Sequence, residues 1–326
     1  MRYLLLCAAT MVLGWMTSDA ARAGYPDKPI TLVVPFSAGG PTDNVARDLA
    51  EMLRKQLGQP VVVENVGGSG GSLGATKVAR ATADGHTLLL HHIGMATAPA
   101  LFRKLPYDTL NDFEYLGMVN EVPMALVGRN TLAATNFAEL RQWIAGYNGR
   151  IFLANAGLGA ASQVCGLLLQ RSLGVTMTAV PYKGTAPAMT DLIGGQVDLL
   201  CDQTTHTSAQ IESGRIKAFA VTSRQRLTTP ALAGLPTLDE AGLKGFYVSV
   251  WHGLYAPKGT PKAVNDRLNA ALRAALQDPE FIRRETALGA MVVNDHRLEP
   301  SAHKRFVEAE MRRWSPVIKA AGQFAD

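Results

Sequence analysis

The stretch from residue 30 to residue 43 constrains the fold more than any other part of the chain. An apolar run, Ile30–Val34, leads through a loop of small residues into the start of an amphipathic pattern. This order predicts a buried strand, a tight turn and a helix. Backbone N–H groups at such a turn point into open space, and the helix N-terminus adds about half a positive charge. The stretch therefore predicts a seat for a carboxylate or phosphate.

Short apolar runs recur along the chain, with helical patterns between them. Most runs are continuous rather than alternating, which is typical of strands buried on both faces. The predicted strands are 30–34, 61–64, 88–91, 151–155, 178–181, 197–201 and 219–222. In the first helical pattern, 45–57, the apolar residues share one face; Thr42 or Asp43 can cap it and Gly58 can end it. The alternation predicts an α/β architecture with largely parallel sheets.

The middle of the chain repeats the order of strand, small-residue loop and helix, which predicts a second α/β lobe. Two long extended segments, 115–127 and 247–257, are predicted to cross between the lobes. Two α/β lobes joined by two crossing strands leave a ligand cleft between the carboxyl ends of their sheets. The predicted boundaries are residues 24–125 with 249–326 for a discontinuous first lobe and 126–248 for the second.

Residues 1–23 have the composition of a secretory signal peptide. Arg2 supplies a positive end, residues 4–15 form an apolar run too short to span a membrane comfortably, and residues 21–23 form an A-x-A cleavage site. We predict cleavage after Ala23 and a periplasmic location; the alternative is a buried N-terminal helix. The formal net charge of +5 comes from scattered Lys and Arg residues, without the basic stripe that nucleic-acid binding needs. No nucleic-acid partner is therefore predicted.

Two cysteines remain after the predicted cleavage, Cys165 and Cys201. In an oxidising compartment they can form a disulfide, and otherwise they are small hydrophobic side chains of the core. The sequence leaves both possibilities open, because the distance between the two residues in space does not follow from their spacing along the chain.

Four loops rich in small residues are expected to face the cleft: 36–43, 65–74, 155–162 and 182–185. Such loops let a ligand approach the backbone closely, although each one is also compatible with an ordinary tight turn. Their repeated occurrence at the ends of predicted strands favours ligand binding.

Three side chains near these loops have two interpretations each. His92 ends a strand near the cleft; the adjacent His91 points to the opposite face, so the two do not chelate a metal together. Asp202 can accept a hydrogen bond from a ligand hydroxyl or ammonium, or cap the next helix. Lys183 can pair with a ligand carboxylate, or lie in solvent. No His or Cys cluster has the spacing of a zinc site, and no metal or cofactor is predicted.

Glycine-rich loops also occur in nucleotide-binding proteins and in hydrolases. The chain has no G-x-x-x-x-G-K-[ST] motif, and segment 157–162 has Ser where the dinucleotide fingerprint has its third Gly. Two overlapping G-x-S-x-G matches, 67–71 and 70–74, are compatible with a serine hydrolase whose nucleophile is Ser69 or Ser72. A segment so rich in Gly and Ser also produces such matches by composition alone.

Six motifs that are spread along the chain resemble one known family in order and spacing. They are YPDKPI at 25–30, VPFSAGGPTD at 34–43, GQPVVVEN at 58–65, VPYKG at 180–184, GGQVD at 194–198 and LYAPKGTP at 254–261. Together they resemble the Bug-type extracytoplasmic solute receptors, which are the substrate-binding subunits of tripartite tricarboxylate transporters. The resemblance runs from about residue 25 to the last residue of the chain.

The resemblance implies a type II periplasmic binding protein fold whose two lobes close on a small carboxylate. It also implies that backbone amides and bridging waters of the first lobe hold the ligand carboxylate. Pro41 replaces a Gly of the commonest family loop and removes one N–H donor. The residues from 202 onwards also depart from the commonest pattern, so ligand identity does not carry over. The expected ligand-binding residues are Phe36, Ser37, Ala38, Gly39, Gly40, Thr42, Asp43, Gly70, His92, Asn155, Ala156, Gly157, Ala160, Ser162, Lys183, Asp202 and Gln203.

We therefore predict a non-enzymatic, monomeric periplasmic receptor. It would bind a small carboxylate in the cleft and deliver it to the membrane permease subunits of a tripartite transporter. A ligand-sensing partner of a signalling protein is an alternative that the sequence does not separate from delivery. A secreted serine hydrolase is the less favoured alternative.

Overall fold

The computed structural model describes residues 24–147, 150–320 and 322, so the predicted signal peptide lies outside the described residues. The strands are β1 Ile30–Val34, β2 Val61–Asn65, β3 Thr87–His91, β4 Phe113–Arg129, β5 Phe152–Asn155, β6 Thr178–Pro181, β7 Leu199–Gln203, β8 Ile216–Val221, β9 Ser249–Pro257 and β10 Met291–Val292. The helices are α1 Pro41–Leu57, α2 Ser72–Ala79, α3 Gly94–Leu101, α4 Phe137–Gly146, α5 Ala161–Leu173, α6 Thr185–Ile193, α7 Thr204–Glu212, α8 Lys262–Leu276, α9 Pro279–Ala287 and α10 Pro300–Ala320. None of the helices in these ranges is long and apolar enough to cross a bilayer.

Hydrogen bonds join the strands into one continuous path. Its order is β2-β1-β3-β9-β4-β7-β5-β6, and β8 and β10 also pair with β4. The pairs of β1 with β2 and β3, and of β5 with β6 and β7, are parallel. The pairs that involve β4 or β9 are antiparallel. The α/β architecture is confirmed, and parallel pairing is confined to the outer strands of each half.

Strand β4 joins the two groups of strands. Its first part, up to Pro123, pairs with β9, and its second part, from Met124, pairs with β7 and β8. The two segments predicted to cross, 115–127 and 247–257, lie on β4 and β9. The division of the chain into two lobes at the predicted boundaries stays a prediction.

Helix α1 shows how the local sequence determines an element. It begins at Pro41, one residue after the N-cap Gly40, whose position has no side-chain cap. The predicted capping by Thr42 or Asp43 is therefore wrong, because proline without an N–H group favours the first helical position. Gly58 ends the helix in the left-handed conformation, as predicted. The predicted apolar face is buried and consists of Val45, Leu49, Met52, Leu53 and Leu57.

Strand β7 ends two residues later than the apolar pattern predicts. The pattern ends at Cys201, whereas the strand continues through Asp202 and Gln203. The reason is tertiary, because these two residues pair with Ala125 and Met124 of β4. The ladder thus holds two polar residues at a buried strand end, where apolar periodicity gives no signal for them.

A disulfide joins Cys165 of α5 to Cys201 of β7, which answers the question that the sequence left open. The helix and the strand pack against each other, and both sulfur-bearing residues are buried. The bond therefore fixes the start of α5 relative to the end of β7.

We expect loss of this disulfide to destabilise the fold. Its two residues are 36 positions apart, and closing a loop of that length contributes about 4 kcal/mol in the chain-entropy account. Thermal unfolding of the wild type with and without dithiothreitol measures the effect. The double variant Cys165→Ala, Cys201→Ala is the control, because the reductant should leave it unchanged; equal midpoints for the wild type in both conditions would contradict the expectation.

Candidate functional site

A cavity lies where the carboxyl ends of the strands meet the first turns of several helices. The empty space of about 300 Å³ between its atoms includes open solvent. Loops from the two groups of strands meet beside it, where Gly70 lies against the backbone of Leu158, so the structure describes a closed arrangement. The lining residues are Phe36, Gly40, Pro41, Thr42, His92, Met124, Ala156, Ala160, Ala161, Ser162, Thr185, Asp202 and Gln203.

Four helices begin at this cavity: α1, α5, α6 and α7. Their N-cap residues are Gly40, Ala160, Gly184 and Gln203, and among the residues that the structure describes no side chain caps any of the four helices. The N–H groups of a first helical turn have no partner within the helix. Uncapped first turns and the helix dipoles together favour an anion at the place where they converge.

Two buried polar side chains at the cavity have no hydrogen-bond partner within the described residues. They are the Thr185 hydroxyl, at the start of α6, and Gln203 Oε1, at the end of β7. A buried polar group without a partner costs about 1–3 kcal/mol. Side chains of this kind at the wall of a cavity are therefore suited to a polar ligand that supplies the missing hydrogen bonds.

His92 contributes a neutral hydrogen-bond donor. Burial lowers the pKa of His92 to about 3, so the ring carries no charge near neutral pH. The N–H group of Gly94 donates to His92 Nδ1 over 3.0 Å, which places the ring proton on Nε2. The ring stacks on Phe36 with 4.5 Å between the centroids. The stacking and the Gly94 bond fix the direction in which this donor points.

Asp202 brings a buried carboxylate to the cavity, but its charge is compensated. Its Oδ2 lies 2.6 Å from His206 Nδ1, and its Oδ1 accepts the N–H of Gln203. Burial acts against the charge of His206, yet the Asp202 carboxylate raises the pKa of His206 above its ordinary value. A proton on His206 compensates the charge of the Asp202 carboxylate, which limits the repulsion of an anionic ligand.

Asp43 supports the first loop rather than lining the cavity. Its carboxylate accepts hydrogen bonds from the N–H of Gly39, from the Arg47 guanidinium and from the Asn65 amide. Burial acts against its charge, but these three donors hold the pKa of Asp43 below its ordinary value. The carboxylate therefore fixes the turn that precedes α1.

Glycines form the contact between the loops of the two halves. A Cβ atom on Gly70, whose φ is +61°, would lie 1.6 Å from the carbonyl oxygen of Leu158. A Cβ on Gly67 would lie 2.7 Å from the carbonyl oxygen of Lys183, which also accepts the N–H of Ser37. No L side chain fits at Gly70 in this closed arrangement.

The cavity brings together nine of the residues that the sequence singled out. These are Phe36, Gly40, Thr42, His92, Ala156, Ala160, Ser162, Asp202 and Gln203. The other eight lie around it without lining it: Ser37, Ala38, Gly39, Asp43, Gly70, Asn155, Gly157 and Lys183. Among these, Lys183 is exposed, while Asn155 and Gly157 turn the loop after β5. A direct role in ligand binding stays a prediction for all of them.

The list of expected ligand-binding residues omitted Pro41, Ala161 and Thr185, although all three belong to loops that were predicted to face the cleft, and sequence reasoning missed Met124 altogether. Thr185 had a usable signal, since it follows Gly184 at the start of a helix. No local sequence signal points to Met124, because this residue reaches the cavity through the position of β4 between the two groups of strands.

The two candidate hydrolase serines differ in their surroundings. Ser69 is exposed and Ser72 is buried. Within the described part of the chain, no hydrogen bond joins either hydroxyl to a histidine, as a serine nucleophile requires. The described ranges also hold no group of three or more His, Cys, Asp and Glu residues suited to a metal ion.

Comparison with known proteins agrees with this geometry. A family model described as the tripartite tricarboxylate transporter family receptor matches residues 45–323. The chain belongs to this family. A UPF0065 protein of Agrobacterium vitis is 46% identical over 322 residues, which cover 99% of this chain and 92% of that protein. Members of the family are binding receptors, so this chain is a receptor and not an enzyme.

Solved structures confirm the fold of a periplasmic binding protein. The periplasmic binding protein BugD matches with a TM-score of 0.90 and 50% identity, covering 93% of this chain and 100% of that one. MatC from Rhodopseudomonas palustris, solved with bound malate, matches with a TM-score of 0.86 and 40% identity, covering 90% of this chain and 100% of that one. The resemblance to Bug-type receptors that the motifs carry is thereby confirmed.

We expect the hydroxyl of Thr185 to contribute nothing to the stability of the unliganded protein. Thr185→Val removes a buried polar atom that has no partner, so the free energy of unfolding should stay equal or increase. Thr222→Val is the matched control, because Thr222 Oγ1 accepts from the N–H of Met124 and donates to the carbonyl of Val248. That variant should lose about 2 kcal/mol. Denaturant unfolding measures the free energy of unfolding of both variants. An equal loss in the two would contradict the interpretation that the Thr185 hydroxyl has no partner in the unliganded protein.

Proposed function

We propose that this receptor captures a small carboxylate in the cavity between its two halves and delivers it to the membrane permease subunits of a tripartite transporter. The observation that carries the proposal is the convergence of four uncapped helix N-termini on one cavity. Such a site favours negative charge without a cationic side chain at its centre.

The polar groups at the cavity divide into two kinds. His92 Nε2–H and the first-turn N–H groups of α1 and α5 are donors that suit carboxylate oxygens. Gln203 Oε1 and the Asp202 carboxylate are acceptors that suit a hydroxyl, an ammonium or a bridging water. The proposed ligand therefore carries a carboxylate together with a hydrogen-bond donor.

Size further limits the ligand. The empty space of about 300 Å³ at the cavity includes open solvent, so the site favours a small ligand. MatC, which has 40% sequence identity to this chain, was solved with malate, a four-carbon hydroxy dicarboxylate. We infer that this receptor binds a dicarboxylate of similar size, and that it acts as a monomer in the periplasm after removal of residues 1–23.

A thermal-shift screen of the chain from residue 24 onwards tests the proposal. The panel contains mono-, di- and tricarboxylates, aromatic acids and acidic amino acids, with phosphate and nicotinamide nucleotides as controls. The protein is first unfolded and refolded to remove bound ligand. A small dicarboxylate at a hundredfold excess over its dissociation constant should stabilise the fold by about 2.7 kcal/mol. A panel without any carboxylate response would contradict the proposal.

We expect Gly70→Ala to abolish tight binding because its Cβ atom would strike Leu158 and keep the two halves apart. Isothermal titration calorimetry with the best ligand of the panel should show an affinity reduced at least tenfold. Gly58→Ala is the matched control, since Gly58 has a similar φ of +72° and nothing within 4 Å of its Cβ position. Both variants should lose about 1–2 kcal/mol of stability, because an L residue is strained at a positive φ, whereas only Gly70→Ala should lose binding. Wild-type affinity in Gly70→Ala would show that binding does not need this closure.

A further inference from the structure

A line of buried hydrogen bonds leads from the cavity wall into the interior of the protein. Thr42 Oγ1 lies 3.2 Å from His252 Nε2, and His252 Nδ1 lies 2.7 Å from Asn120 Oδ1. Asn120 Nδ2 in turn donates to Glu285 Oε2 over 2.6 Å. All four side chains are buried. We call these four residues the Thr42–Glu285 relay. Only Thr42 among them reaches the cavity.

The hydrogen bonds of the relay have a direction from donor to acceptor, which the protonation states of its members determine. Burial and the neighbouring His92 hold the pKa of His252 well below its ordinary value, so its ring carries a single proton. The Asn120 carbonyl accepts that proton from Nδ1, which leaves Nε2 as an acceptor for the Thr42 hydroxyl. In this direction Thr42 offers the cavity only its lone pairs, which suit a hydroxyl or ammonium but repel a carboxylate.

The opposite direction turns Thr42 into a donor towards the cavity. A half-turn of the Asn120 amide places its NH₂ group against His252 Nδ1, and the imidazole then carries its proton on Nε2 and donates to Thr42. The Thr42 hydroxyl is thereby free to donate to a ligand carboxylate. The Asn120 carbonyl now faces Glu285, and two oxygens at this distance need a proton between them.

The proton balance of this reversal is one proton gained. Glu285 takes it up from solvent and donates it in a hydrogen bond to Asn120 Oδ1. The imidazole proton of His252 moves from Nδ1 to Nε2 by exchange with water while the cleft is open. The protons on Thr42 and Asn120 change partners but not number.

The surroundings of Glu285 suit a carboxyl that gains a proton near neutral pH. Burial raises the pKa of Glu285 to about 7; the Asn120 hydrogen bond opposes this effect and the charge of Asp48 adds to it. The adjacent Arg284 does not bond Glu285, because it is engaged by Asp48, Glu51 and Glu280.

Within the described part of the chain, the other elements packed against α9 bring apolar or neutral groups to this carboxyl. The buried face of α8 consists of Leu and Ala residues, β10 consists of Met291 and Val292, and β9 contributes the neutral His252. Asp48 of α1 is therefore the charged neighbour that acts on Glu285.

We propose that capture of a carboxylate at Thr42 is coupled to the uptake of one proton by Glu285, which makes Glu285 a positioning residue for the ligand. This inference rests on the proposed carboxylate function. It assigns a role to a buried carboxyl that does not touch the ligand.

The coupling has a defined sign. Ligand binding favours the protonated carboxyl, so affinity is highest at low pH and decreases by up to about tenfold per pH unit above neutrality. His206, whose pKa is raised by Asp202 against the effect of burial, is a second titratable group, bonded to a residue of the cavity wall. A pH profile of the wild type alone therefore does not identify the group.

Glu285→Gln separates the two groups. Glutamine has the shape of the protonated carboxyl, carries an N–H donor for Asn120 at every pH and has no charge. Glu310→Gln is the matched control, because Glu310 is a buried carboxyl that bonds Trp251 and Trp314 away from the cavity.

Isothermal titration calorimetry at pH 8 with malate, succinate and aspartate, in two buffers of different ionisation enthalpy, counts the protons taken up on binding. The wild type and Glu310→Gln should take up about one proton more per ligand than Glu285→Gln. At this pH, Glu285→Gln should bind about tenfold more tightly than the wild type. Thr42→Val removes the other end of the relay, so it should also take up about one proton less per ligand than the wild type. This variant provides the test if Glu285→Gln does not fold.

Equal proton uptake in the wild type and in either relay variant would overturn the coupling and leave the carboxylate function intact. A wild type that binds none of the three probes at pH 6 or pH 8 would overturn the proposed small-dicarboxylate function, and the coupling with it.

Discussion

The antiparallel pair of β4 and β9 is the interaction on which the rest of the structure depends. The first part of β4 pairs with β9 and its second part pairs with β7 and β8, so one continuous strand belongs to both groups of strands. Each group brings its own helix N-termini to the strand ends. Loops of the two groups also touch beside the cavity, where Gly70 lies against Leu158 and the N–H of Ser37 donates to the carbonyl of Lys183, so the shared strand and these contacts together set the width of the cavity.

The cavity relies on backbone more than on side chains. Four helices begin there without a side-chain cap, and the positive ends of their dipoles take the place of a lysine or arginine. A charged side chain in a small closed cavity would need its own compensation when the ligand is absent. Asp202 illustrates that requirement, since its carboxylate lies against His206, whose pKa it raises.

The sequence predicted the local features well because local physics determines them. The apolar face of α1 and its end at Gly58 follow from spacing and from the glycine's tolerance of positive φ. The extension of β7 through Asp202 and Gln203 depends on pairing with β4, so it has no local signal. Met124 likewise reaches the cavity only through sheet topology. The Thr42–Glu285 relay is harder still to predict from the sequence, because residues 42, 120, 252 and 285 share no motif and meet only in the folded protein.

The disulfide between Cys165 and Cys201 has a consequence for where the protein can work. It cross-links the helix that begins with Ala161 and Ser162 to the strand that ends with Asp202 and Gln203, and all four of these residues line the cavity. Thiols stay reduced in the cytosol of most bacteria and become oxidised outside it. A newly made chain in the cytosol therefore has one wall of its cavity without the cross-link. Members of this family are periplasmic binding receptors, so the oxidising conditions that form the cross-link are those of the compartment in which such receptors act.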